Sequence, residues 1–84
     1  MANLFDPVTL GDIQMANRVV MAPMTRSRAG AGDLPTELTV EYYRQRANAG
    51  LIVTEGVQPS LVGKGYCRTP GIYGDAHVAA WSKV

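Results

Sequence analysis

One histidine, one cysteine, a glycine-flanked lysine and a pair of loop arginines are the side chains in this 84-residue sequence from which chemistry would first be sought. Histidine titrates near neutrality and suits general acid–base work. His77 falls in the helical pattern Asp75-Ala76-His77-Val78, and the expectation is a surface helix residue. Cys67 stands beside Arg68, and a neighbouring cation favours the thiolate. It is the sole cysteine, so no internal disulfide framework exists, and an inert loop thiol is expected. Gly63-Lys64-Gly65 lacks the spacing and the following helix of a phosphate loop. Arg26 and Arg28 are either solvated loop charges or a means of steering a phosphorylated cofactor, and Glu55 is open as a supporting partner within the fold. No metal site and no catalytic residue is expected in this segment.

Composition narrows the function further. Eight basic against seven acidic residues leave a net charge of +1. That excludes a broad basic field for nucleic acid and an acidic disordered tail. Charged residues make up only 18% of the chain, below the usual ~25%, so more surface is meant to be covered than 84 residues can cover. The longest purely apolar runs are four residues, which excludes a membrane span. The opening Met1-Ala2-Asn3-Leu4-Phe5-Asp6-Pro7 has neither the basic nor the apolar region of a signal peptide. A cytoplasmic, reducing compartment is expected.

The elements that must position these residues follow from turn chemistry and periodicity. Val8–Leu10 and Ile13–Met15 flank Gly11-Asp12, and glycine first in a two-residue loop predicts a type II′ hairpin. Val19-Val20-Met21-Ala22 before Pro23 reads as a strand buried on both faces in a parallel sheet. Residues 26–35 form a loop made flexible by Ala29-Gly30-Ala31-Gly32. A helix follows, with Thr36 as N-cap, Val40, Tyr43 and Ala47 as its buried stripe, and Gly50 as its C-terminal stop. Leu51-Ile52-Val53-Thr54-Glu55 is a second strand, so residues 18–55 form a right-handed βαβ unit. Residues 56–74 hold five of the nine glycines, and their 19 residues without regular structure exceed the ~12–15 usual in a compact domain. A binding loop or lid is expected. Asp75 caps a last helix whose buried face carries Val78, Trp81 and Val84. One βαβ unit leaves two sheet edges open, so the chain is expected to be the N-terminal part of a larger α/β domain.

The segment Asn17-Arg18-Val19-Val20-Met21-Ala22-Pro23-Met24-Thr25-Arg26 resembles the first barrel strand of the Old Yellow Enzyme family of FMN-dependent ene reductases. Leu4-Phe5-Asp6-Pro7 is similar to that family's entry. Tyr42-Tyr43-Arg44-Gln45-Arg46-Ala47 and Gly50-Leu51-Ile52-Val53-Thr54-Glu55 resemble its first helix and second strand. Lys64-Gly65-Tyr66 with Pro70-Gly71 resembles the loop after that strand, and Ala79-Ala80-Trp81-Ser82-Lys83-Val84 its second helix. The likeness runs through the whole chain and is greatest for the bacterial branch that reduces N-ethylmaleimide and nitrate esters.

The resemblance implies an α/β fold, the (β/α)8 TIM barrel, usually ~250 residues or more. Residues 1–84 would be the N-terminal part of a single FMN-binding domain: a hairpin, the first βαβ unit and the start of helix 2. It implies FMN and NADPH (or NADH) as cofactors and activated alkenes, such as enones and maleimides, or nitro and nitrate-ester compounds as substrates. The macromolecular partner implied is the remaining part of the barrel, with no nucleic acid and no membrane. Barrel sites lie at the C-terminal strand ends. There the resemblance assigns Pro23, Met24, Thr25 and Gly56 to the flavin and Tyr66 to the substrate pocket. Thr25 would supply a hydroxyl to the O4 edge. A hydrogen bond to that edge favours the anionic reduced flavin. The family's proton donor and substrate-orienting pair match nothing in this segment, so the chain alone is expected to be inactive. Residues 18–24 are also similar to tRNA dihydrouridine synthases, but the motifs at 42–46 and 64–66 and the near-neutral charge argue against them. The non-enzymatic alternative is a fragment that acts only by associating with the rest of the barrel.

Overall fold

The computed structural model describes residues 2–84, so Met1, the first residue of the signal-peptide reading, lies outside the described residues. Two strands, β1 (Val8–Leu10) and β2 (Ile13–Met15), pair antiparallel in the register Leu10↔Ile13. Gly11 has φ +58° while Asp12 does not enter the left-handed region, as a II′ turn requires. Two further strands, β3 (Val20–Met21) and β4 (Leu51–Ile52), pair in parallel through Val20↔Leu51 and Met21↔Ile52. Between them lies α1 (Glu37–Arg44), and α2 (Asp75–Lys83) follows the long loop.

The strand–helix–strand order is as expected, and its ends are not. Both parallel strands are shorter than their apolar runs, and Val20 is 47% exposed rather than buried on both faces. The two-stranded sheet offers no neighbour to cover that face. At the start of α1, Thr39 Oγ1 accepts the Thr36 N–H at 3.0 Å, which satisfies a donor the helix leaves unpaired. The helix stops at Arg44, and residues 45–49 continue as tight turns with bonds such as Arg46 N–H to the Tyr43 carbonyl (3.0 Å).

Gly50 is therefore not the helix stop. Its N–H donates to the Val19 carbonyl at 2.8 Å, and a Cβ there would run into the Asn17 carbonyl. Close approach of two backbones, rather than a left-handed conformation, demands glycine here. Of the expected helix stripe Tyr43 is buried, Val40 half-buried and Ala47 exposed, because the helix has ended before Ala47. In α2 the N-cap is Gly74, one residue before Asp75, and the inward face is His77 with Trp81 rather than Val78 and Val84, both exposed.

Among the described residues the buried apolar side chains are few (Met15, Ala29, Pro35, Tyr43 and Pro70), and polar ones hold the loops together. Residues 29–33, expected to be flexible, are tied into the fold by main-chain bonds. Ala29 N–H donates to the Arg68 carbonyl (2.9 Å), Gly30 N–H to the Leu34 carbonyl (2.9 Å), and residues 31–33 make a 3₁₀ turn. His77, expected at the surface, is 6% exposed, because its Nε2 reaches the Gly32 carbonyl at 2.9 Å and its ring packs on Tyr73. Trp81 Nε1–H donates to the Gly71 carbonyl at 3.0 Å. The loops after both parallel strands are thus tied to each other and to α2.

Candidate functional site

The C-terminal ends of β3 and β4 point the same way because the strands are parallel. The residues just beyond them, Thr25 and Gly56, line one open groove of about 260 Å³ together with Gln58, Tyr66 and Thr69. Tyr66 is 72% exposed on the long loop. That loop is closed at its base by Gln58 and Thr69, both buried. Gln58 Nε2–H donates to the Thr69 carbonyl (3.0 Å), and Thr69 Oγ1–H donates to Gln58 Oε1 (3.1 Å). A closed base holds Tyr66 over the strand ends without any regular structure in between.

The sequence-predicted residues separate here. Thr25, Gly56 and Tyr66 share the groove. Met24 lies instead beside a mostly apolar concavity of about 360 Å³ with Phe5, Val19 and Met21. Pro23 is exposed and lies two residues beyond the end of β3. Among the described residues, no hydrogen bond occupies Thr25 Oγ1 or the N–H groups of Met24, Thr25 and Gly56. A Cβ on Gly56 would meet nothing within 4 Å. Free short-reach donors on adjacent strand ends, beside an uncrowded backbone, fit the acceptor-bearing edge of a flat heterocycle.

Sequence reasoning missed the group behind this edge. Arg26 is ion-paired with Glu55, whose side chain is 3% exposed. The Tyr43 hydroxyl accepts from Arg26 Nη2 (3.3 Å) and from the Glu55 N–H (3.1 Å), and donates to Glu55 Oε2 (3.3 Å). The Arg26 guanidinium also stacks on Tyr42 at 3.8 Å. Arg26 is thus an internal tie. Its charge is matched by Glu55, which removes both the solvated and the cofactor-steering readings; Arg28 is the exposed one. Burial raises the Tyr43 pKa, with the Arg26 charge opposing and Tyr42 adding, so the phenol stays protonated as its bond to Glu55 requires. Removing one partner of such a buried pair typically costs ~3–5 kcal/mol, whereas an exposed pair such as Arg44–Glu41 (2.6 Å) is worth ~0–1 kcal/mol. The only signal in the sequence was a carboxylate ending an apolar strand, Glu55.

A second cluster pins the loop from outside. Lys64 Nζ–H donates to Asp33 Oδ1 at 2.6 Å and Tyr73 O–H to Asp33 Oδ2 at 3.0 Å. The hydrogen bond from Lys64 holds the Asp33 carboxyl below its ordinary range against the effect of burial, with Tyr73 adding. The same bond raises Lys64. Lys64 is thus engaged within the protein, with a partner the sequence did not indicate. Cys67 is exposed. A further cavity of about 610 Å³ lies against α1 and is lined by Arg26, Arg28, Leu38, Glu41, Tyr42 and Gln45.

Known proteins resemble this chain along nearly its whole length. The NADH:flavin oxidoreductase / NADH oxidase family matches residues 3–84. Chanoclavine-I aldehyde reductase of Penicillium roqueforti is 44% identical over 86 aligned residues, covering 100% of this chain and 23% of that protein. The structure of morphinone reductase in complex with tetrahydroNAD superposes with a TM-score of 0.93 at 46% identity, covering 99% of this chain and 23% of that one. The old yellow enzyme homologue from Zymomonas mobilis gives 0.91 at 48% identity, covering 98% and 23%. The chain therefore spans less than a quarter of the length of these relatives, and its strand–helix–strand unit is a section of their TIM-barrel fold.

Proposed function

The chain belongs to the Old Yellow Enzyme family of NADH:flavin oxidoreductases, and from that premise we propose that it is part of an FMN-dependent NAD(P)H oxidoreductase acting on activated C=C bonds. The observation that carries the proposal is the set of unused donors beyond the ends of β3 and β4, the Thr25 hydroxyl and the N–H groups of Thr25 and Gly56, around a groove walled by Tyr66. FMN bound there would supply the hydride chemistry, accepting from NAD(P)H and delivering to the alkene. Thr25 would donate to the electron-rich edge. Pro23, Met24 and Gly56 would meet the ring through main chain, Gly56 without a side chain to hold it off. Tyr66 offers a flat apolar wall with one polar tip, which suits a planar enone or maleimide; nitro and nitrate-ester compounds are the second substrate class. Residues 1–84 would belong to one FMN-binding barrel domain and pack against its remainder. No helix among the described residues is long and apolar enough to cross a membrane, and the exposed Cys67 thiol suits the reducing cytoplasm we assign to the protein.

The test is made on the complete protein that carries this chain. Purified protein is expected to show a flavin spectrum that NADPH bleaches without oxygen and 2-cyclohexenone restores. Absence of bound flavin, or reduced flavin that no enone or maleimide reoxidises, refutes the reading.

A further inference from the structure

The main chains of β3 and β4 part before they reach the groove. Their last bond runs from Val53 N–H to the Met21 carbonyl at 3.0 Å, and Pro23 has no N–H with which to continue. Thr25 and Gly56 lie beyond this point and still line one groove. What bridges the two chains there is the residue next to each. Arg26 follows Thr25, Glu55 precedes Gly56, and the two form the ion pair. The Tyr43 hydroxyl, presented by α1, bonds to both. We propose that the Arg26–Glu55 pair, braced by Tyr43, is a positioning device that replaces the missing ladder and fixes Thr25 relative to Gly56.

The proposal rests on the flavin reading above and adds to it residues that touch no cofactor. Two arguments favour geometry over simple cohesion. A buried ion pair is often no more stabilising than apolar side chains of the same volume, so holding strength alone does not call for one. Directional bonds do, because they define a separation, and this pair has three bonds to one hydroxyl besides its own contact. The guanidinium is also held in orientation by the Tyr42 ring at 3.8 Å. With Glu55 neutralising it, Arg26 presents little net charge to the groove, so its influence on a bound flavin has to pass through Thr25.

The test is a double-mutant cycle on the complete, FMN-loaded protein, read as the flavin midpoint potential. In the otherwise unaltered protein, Thr25→Ala is expected to change the ratio of reduced- to oxidised-flavin affinity about tenfold, which is ~30 mV for a two-electron couple. In a Tyr43→Phe or Glu55→Gln background the same change is expected to have less than about a threefold effect, because Thr25 is already displaced. Tyr43→Phe keeps the aromatic ring and carries the test if Glu55→Gln does not fold. A full Thr25→Ala response in both backgrounds overturns the proposal, leaves the ion pair a structural tie, and leaves the flavin reading intact. Failure of the unsubstituted protein to bind FMN overturns both.

Discussion

Thr25→Ala separates a residue that acts on a cofactor from one that merely ends a strand. Thr25 is exposed, and its hydroxyl has no hydrogen bond among the described residues. The fold should lose almost nothing, within the ~0.5 kcal/mol typical of surface substitutions. Any larger effect must fall on what the groove binds. A hydrogen bond to a charged acceptor contributes ~1.5–3 kcal/mol, and the anionic reduced flavin would draw more from it than the oxidised form. At ~30 mV per 1.4 kcal/mol for two electrons, the potential should fall by at most ~30–65 mV. Equilibration of the complete FMN-loaded protein against a reference dye measures this. Reduction by NADPH should slow in step, Thr25→Ser should retain most of the wild-type potential, and the melting temperature should not move. An unchanged potential would falsify the assignment of Thr25. A fall accompanied by a lower melting temperature would mean that the hydroxyl supports the fold instead.

Other outcomes are as definite. Gly50→Ala should destabilise the complete protein by ~1–3 kcal/mol or more, seen as a lower urea midpoint, since its Cβ would collide with the Asn17 backbone; wild-type stability would show that the two backbones can part at no cost. Tyr66→Phe should keep most turnover while Tyr66→Ala raises KM for bulky enones and leaves flavin reduction by NADPH nearly untouched; abolished alkene reduction in Tyr66→Phe would make the hydroxyl an acid or essential anchor. Asp33 has its pKa lowered, so its contribution to pinning the loop is present above the ordinary carboxylate pKa and lost as pH falls through the lower folded value. Lys64 has its pKa raised, so its share holds at neutral pH and is lost only as alkaline pH passes that raised value. Hydrogen-exchange protection at residues 56–74, taken relative to the intrinsic exchange rate at each pH, should therefore fall in acid, and Asp33→Asn should lower it already at neutral pH. The 84-residue chain by itself should show no cooperative thermal transition, because its radius of gyration is 14.7 Å against ~12 Å for a compact domain of this length; a sharp transition with dispersed amide signals would contradict this.

The hairpin could be read residue by residue because everything that determines it lies within eight residues: Gly11 takes the positive φ, and the flanking segments Val8–Leu10 and Ile13–Met15 pair across it. The start of α1 and the parallel pairing of β3 with β4 were legible for the same reason, being set by a local cap and by the length of a crossover. The residues now placed in the groove, Thr25, Gly56 and Tyr66, were reached through a resemblance of motifs. Composition and periodicity alone pointed no further than a strand end, a turn and a loop. Tertiary structure decided the rest wherever a partner lies far along the chain. Gly50 looks like a helix stop until Asn17 is brought against it. His77 looks solvent-facing until the Gly32 carbonyl, 45 residues away in sequence, draws it inward. Arg26 and Glu55 look like a loop charge and an unplaced acid until parallel strands align their ends and α1 supplies the Tyr43 hydroxyl between them. Periodicity reports which face of an element is apolar, whereas a hydrogen bond or an ion pair depends on which distant atom arrives within about 3 Å, and only the folded chain determines that.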